Sequence, residues 1–175
     1  MFLTANEEDV TRSINAVHPA GLVLPSEVED DERDVELRVA FDFDCVIVDD
    51  EAEKVYQRDG LDAFVAHETN KADVAHAPGL LADLFRKLAF MRKLEDREIA
   101  KNLQYKRIVR VAIVTARGAP AHERMVTTLK AWGVDVDETF LLGGMKKFFE
   151  SCFLYALQCF TKPFENAIQR YHRDS

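Results

Sequence analysis

The chain has 175 residues, 47% hydrophobic and 31% charged, with 7 Gly and 5 Pro, which excludes collagen-like, low-complexity and wholly disordered classes. That length suits one domain with a genuine core and leaves little room for two. The net charge is −8, with 17 acidic against 5 basic residues in positions 1–60 and 14 against 18 in the remainder. Such an acidic front half argues against a nucleic-acid-wrapping surface and suits an enzyme that binds a divalent cation.

In chain order, residues 1–24 read as a strand–helix–strand unit. Asn6 with Asp9 three residues on resembles a capping box and predicts a helix from Glu7 to about Ala16. Gly21 to Pro25 reads as a short strand stopped by proline, and the acidic run 26–37 as a linker. Residues 38–48 (RVAFDFDCVIV) are rich in β-branched and aromatic residues, which predicts one strand. Positions 51–69 read as helical with a break near Gly60. Pro78-Gly79 precedes an amphipathic helix in which Leu81, Leu84, Phe85, Leu88, Met91 and Leu94 recur at spacings of three and four. Ile108–Val114 is a second buried strand, and a helix follows from about Pro120 to Trp132, stopped by Gly133. Thr139–Leu142 is a third. Strands alternating with helices predict an α/β fold with a parallel sheet.

No apolar run approaches the length of a bilayer span, and MFLTANEEDV lacks the basic and apolar regions of a secretory signal. Cys45, Cys152 and Cys159 form no CxxC and cannot all pair, so a reducing cytoplasm is the expected compartment.

Ligands of parallel α/β sheets bind beyond the carboxyl ends of the strands. Asp42 and Asp44 stand at the first such end, Thr115 and Arg117 at the second, and Lys147 shortly after the third. Phosphoryl transfer through a carboxylate asks for this set. It needs a nucleophile, a second carboxyl group to protonate the leaving oxygen, and a hydroxyl and a cation to hold the phosphoryl oxygens. Hard oxygen ligands of this kind suit Mg²⁺. Each residue alone has a plainer reading as a strand exit, a cap or a surface charge; their order and spacing make the joint case. Arg117 is expected to support the loop or an anion. Cys45 is expected to be a small buried filler, with no histidine placed as its base.

The stretches RVAFDFDCVIVDDEAEKVYQRDGLDAF, RVAIVTARGAPAHERMVTTLKAWGVDVDETFLLGGMKK and FLTANEEDV resemble the bacterial branch of the cytosolic 5′-nucleotidases, within the haloacid-dehalogenase-like (HAD) phosphohydrolases. The resemblance covers about residues 1–147. It implies a Rossmann-like HAD core at 38–50 and 107–147, a helical cap insertion at 51–106, and Mg²⁺-dependent hydrolysis of nucleoside 5′-monophosphates in the cytoplasm through an aspartyl-phosphate. On that resemblance Asp42 falls on the nucleophile, Asp44 on the general acid/base, Thr115 on the phosphate-binding hydroxyl and Lys147 on the motif lysine. Asp42 and Asp44 are the implied metal positions. Residues 1–37 form the N-terminal unit and its linker.

Three departures from the family pattern stand out. Cys45 occupies a usual glycine position, where its side chain would crowd a tight loop. The chain begins partway into the pattern. After Lys147 the 28 residues 148–175 hold 5 of the 12 Phe but no Asp-Asp pair, and Glu150 lies too close to Lys147 to replace it. The expectation is thus a chain truncated at both ends, with weakened activity. A non-catalytic nucleotide- or phosphate-binding remnant, or one piece of a split enzyme, is the alternative. The expected partner is a nucleoside 5′-monophosphate, with no nucleic acid or membrane; open apolar strand edges would favour a homo-oligomer.

Overall fold

The computed structural model describes residues 2–25 and 33–143. Lys147, Glu150, Cys152, Cys159 and the Phe-rich segment 148–175 lie outside the described residues. The chain divides into two compact units, Met1–Val35 and Glu36–Ser175.

In the first unit, β1 (Phe2–Thr4) and β2 (Ala20–Leu22) pair in parallel through helix α1 (Glu7–Asn15). The Asn6 side chain accepts a hydrogen bond from the Glu8 amide at 2.9 Å, satisfying one of the amides that a helix start leaves free. The acidic first turn of Glu7, Glu8 and Asp9 also suits the positive end of the helix dipole.

The second unit is a parallel α/β sheet of three described strands in the order β3 (Leu37–Asp42), β4 (Val109–Thr115) and β5 (Glu138–Leu141). Asp42 pairs with Val114, and Thr115 with Leu141, so the three carboxyl ends share one edge of the sheet. Central β4 is buried from Val111 through Thr115. That unbroken burial is what a parallel strand covered on both faces requires, and it accounts for the continuous apolar run in the sequence.

Between β3 and β4 come α2 (Glu51–Asp59), α3 (Leu61–Asn70) and α4 (Ala82–Lys101); α5 (His122–Trp132) follows β4. Helix α4, inside the interval expected as a cap, packs Phe85 and Ala89 into the core with Phe41, Val111, Ile113 and Met125. The Phe85 ring meets Phe41 edge-on at 5.4 Å. Its apolar stripe is shorter than the spacing predicts. Met91 and Leu94 face solvent, whereas Glu95 is buried and accepts the Ile108 and Val109 amides at 2.8 and 3.0 Å. A carboxylate satisfying the free amides at the start of β4 has displaced the leucine from the core side. Gly133 ends α5 in the left-handed conformation, as the sequence predicts.

The strand expected over 38–48 stops at Asp42. The chain turns tightly through Phe43–Ile47, where the Asp42 carboxylate accepts the Phe43 amide at 2.7 Å and the Val48 amide closes back on Phe43 O at 3.1 Å. Phe43 and Ile47 are fully buried, so the apolar pattern that reads as a strand serves to anchor this turn. Cys45 sits at its crest with φ 61° and is exposed, not buried. The segment around Pro78-Gly79 lies against the same turn: the Gly79 amide donates to Ile47 O at 2.8 Å, and the Asp49 amide to Ala77 O at 3.1 Å.

Candidate active site

Asp42, Asp44 and Thr115 come together at the carboxyl edge of the sheet. Asp42 ends β3, and Asp44 stands two residues on within the tight turn. Burial pushes the Asp42 carboxyl up to about 6. The Phe43 amide opposes that shift, and the neighbouring Asp44 and Glu53 carboxylates reinforce it. Thr115 is fully buried, and its Oγ1 accepts the Arg117 amide at 3.2 Å.

Asp44 is held by Arg117. The guanidinium donates from Nε to Oδ2 at 2.9 Å and from Nη2 to Oδ1 at 2.6 Å, a two-point grip that fixes the orientation of the carboxylate. Arg117 is itself buried, between the rings of Phe43 and Phe64 at 5.1 and 5.3 Å. Its Nη1 donates to Glu68 and, at 2.9 Å, to Ala121 O. Burial disfavours its charge, but the Asp44 and Glu68 carboxylates outweigh that cost, and the guanidinium stays protonated.

From Arg117 a chain of alternating charges runs through the interior. Glu68 on α3 has no exposed surface; its Oε1 accepts Arg124 Nη1 at 2.8 Å, and Oε2 lies 3.0 Å from His76 Nε2. Burial alone would raise the Glu68 carboxyl, yet His76, Arg117 and Arg124 together lower it to about 2. Arg124 on α5 continues to Val74 O at 2.9 Å and to Glu51 Oε2 at 2.9 Å, and Glu51 pairs with Lys71. Lys71 and Arg124 hold the Glu51 carboxyl at about 2. The turn bearing Asp44 is thus tied to α2, α3 and α5 by ionic bonds.

Sequence reasoning singled out Asp42, Asp44, Thr115 and Arg117 but missed Glu68, His76 and Arg124. Nothing in the local sequence marks those three, since charges on helices such as Glu68 and Arg124 ordinarily read as solvated faces, and a lone loop histidine carries no spacing signal. Lys147 lies outside the described residues.

The two residues implied as metal positions differ in what surrounds them. Asp42 stands among like charges that a cation would relieve, and its donor type fits a hard dication. Both side-chain oxygens of Asp44 already accept from Arg117.

The family model for 5′-nucleotidase matches residues 1–158. Human cytosolic 5′-nucleotidase 1B is 32% identical over an alignment of 152 residues, and the match covers 84% of this chain. The chain spans about a quarter (24%) of that relative's length. No solved structure matches it.

Proposed function

The chain belongs to the 5′-nucleotidase family, and on that premise we propose that it acts on nucleoside 5′-monophosphates by phosphoryl transfer to Asp42. The observation that carries this reading is the register of the sheet, in which the end of β3 and the end of β4 bring Asp42 and Thr115 to one edge beside Asp44. Asp42 attacks phosphorus in line with the departing 5′-oxygen, and Asp44 supplies the proton to that oxygen. Asp44 then takes a proton from water as it attacks the aspartyl-phosphate. Thr115 already accepts from the Arg117 amide, so its own O–H is free to donate to a phosphoryl oxygen. Lys147 is proposed to add its ammonium charge there.

The Asp42 carboxylate would hold Mg²⁺, which when bound draws negative charge off the phosphoryl group and favours ionised Asp42. Arg117 sets the direction of Asp44, and the Glu68–Arg124–Glu51 chain sets Arg117. The cap role is proposed for α2 and α3, because α4 contributes to the core. The word cytosolic in the relative's name is consistent with a cytoplasmic location, and no helix among the described residues is long and apolar enough to cross a membrane.

The grip of Arg117 on both Asp44 oxygens also favours a second reading, phosphate binding without turnover, because each oxygen that would carry the proton already accepts from the guanidinium. Hydrolysis of AMP and other 5′-monophosphates, with and without Mg²⁺, separates the two. Release of phosphate that vanishes in Asp42→Asn supports the enzyme; nucleotide affinity without release supports the binding protein. Turnover unaffected by Asp42→Asn would overturn the proposed nucleophile.

A further inference from the structure

Asp49, Glu51 and His76 offer one ligand atom each within 4.8 Å of one another. Their meeting follows from the fold: the hydrogen bond between the Asp49 amide and Ala77 O draws the start of α2 against residues 76–77. His76 is fixed in place. Its amide donates to Thr128 Oγ1 at 3.0 Å, its ring stands edge-on to Phe43 at 5.7 Å, and its side chain is completely buried.

The imidazole is also electronically prepared. Nε2 lies 3.0 Å from Glu68 Oε2, and since an ionised carboxylate can only accept, that contact calls for an N–H on Nε2. Arg117 Nη2 gives one N–H to Asp44 Oδ1 and also lies 3.2 Å from Nε2, so that nitrogen is engaged on both sides whichever hydrogen it carries. The ring nitrogen left over is Nδ1, a buried atom with no hydrogen-bond partner among the described residues. It faces Asp49 Oδ1 at 3.9 Å, and that oxygen is likewise buried and without a hydrogen-bond partner among the described residues. A histidine that donates one ring N–H to a carboxylate and presents the other nitrogen bare has the arrangement found behind metal-bound imidazoles.

We propose that Nδ1 of His76, with the carboxylates of Asp49 and Glu51, forms a second divalent-cation site, separate from Asp42 and Asp44. One imidazole and two carboxylates suit a first-row dication such as Zn²⁺, Mn²⁺ or Co²⁺ better than Mg²⁺, which favours an all-oxygen shell. Bonds of about 2.0–2.2 Å bring ligand atoms to roughly 3–4 Å from one another, so the carboxylates must close in slightly. Asp49 and Glu51 are about a third exposed and have room to do so. Glu51 is the weakest of the three, because Lys71 and Arg124 already occupy its oxygens; Lys71 is 39% exposed and can swing into solvent. The site does not depend on the phosphatase reading.

The test titrates Co²⁺ into the full chain carrying Asp42→Asn and with its three cysteines changed to serine, which removes the proposed catalytic ligand and all thiolates. Visible absorption reports nitrogen and oxygen coordination. One Co²⁺ per chain is expected, displaced by Zn²⁺ and not by millimolar Mg²⁺. Asp49→Asn and His76→Gln should each weaken it about tenfold or more, and Lys71→Met should tighten it. Should His76→Gln fail to fold by circular dichroism, the part-exposed Asp49→Asn still decides. No binding, or binding indifferent to Asp49→Asn, would overturn the site.

Discussion

Arg117 and Asp44, 73 residues apart in the chain, share two parallel hydrogen bonds of 2.9 and 2.6 Å, made by a guanidinium that is almost wholly buried. The proposed proton carrier is therefore positioned by a residue that need not touch substrate. Arg117→Lys keeps the charge and loses the planar fork. Its kcat should fall about tenfold or more while KM changes by less than about twofold, since an interaction that matters in the transition state is lost. A rise in KM with kcat unchanged would instead place Arg117 in substrate binding.

Asp42 must be ionised to attack, and its carboxyl is pushed up to about 6 by burial. Without added metal, kcat/KM should rise with pH through about 6, and Mg²⁺ should move that inflection to lower pH. The same shift affects folding. The folded form binds the proton more tightly than the unfolded chain, so stability is lost as pH rises from about 4 to 6. Asp42→Asn should therefore abolish turnover and raise the melting temperature at pH 7, with the stabilising effect fading below about pH 4.

Glu68 carries the opposite sign. Its carboxyl is lowered to about 2, because His76, Arg117 and Arg124 outweigh the effect of burial. Its contribution is present above the unfolded carboxyl value and disappears as pH falls from about 4.5 toward 2. Glu68→Gln leaves two buried arginines short of a counter-charge, which should cost about 3–5 kcal/mol at pH 7 in a denaturant titration. The gap from the parent chain should narrow as the pH is lowered through that window.

Cys45, at φ 61°, is a non-glycine residue in the left-handed region, a strain of about 1–2 kcal/mol. Cys45→Gly relieves it at the expense of a more flexible unfolded chain, roughly 0.4–1 kcal/mol. A net gain of about 0.5–1 kcal/mol in a urea titration is expected. Partial desolvation in the turn and the neighbouring Glu53 and Asp44 carboxylates push the thiol up, so its alkylation should be slow at pH 7 despite its exposure.

Gly79 has the reverse requirement. A Cβ there would lie 2.2 Å from Val48 O and 2.8 Å from Val46 O, both backbone atoms of the turn that carries Asp44. Gly79→Ala should destabilise by about 1–3 kcal/mol and lower kcat through a displaced turn, as measured by melting temperature and AMP hydrolysis together.

Local pattern alone was enough to mark the helices, the buried run of β4, the stop at Gly133 and the acidic and hydroxyl groups at the strand ends. Those features depend on neighbours a few residues away, whose spacing is set by backbone geometry. The same reading carried the strand of 38–48 too far, because apolar residues that anchor a tight turn look like those of a strand. It also took Cys45 for a buried filler. Only the tertiary structure decided that Glu68 lies in the interior between Arg117 and Arg124, and that His76 turns a bare nitrogen toward Asp49. Whether a charge is solvated or buried depends on which helix faces meet, and packing between α3 and α5 settles that over dozens of residues.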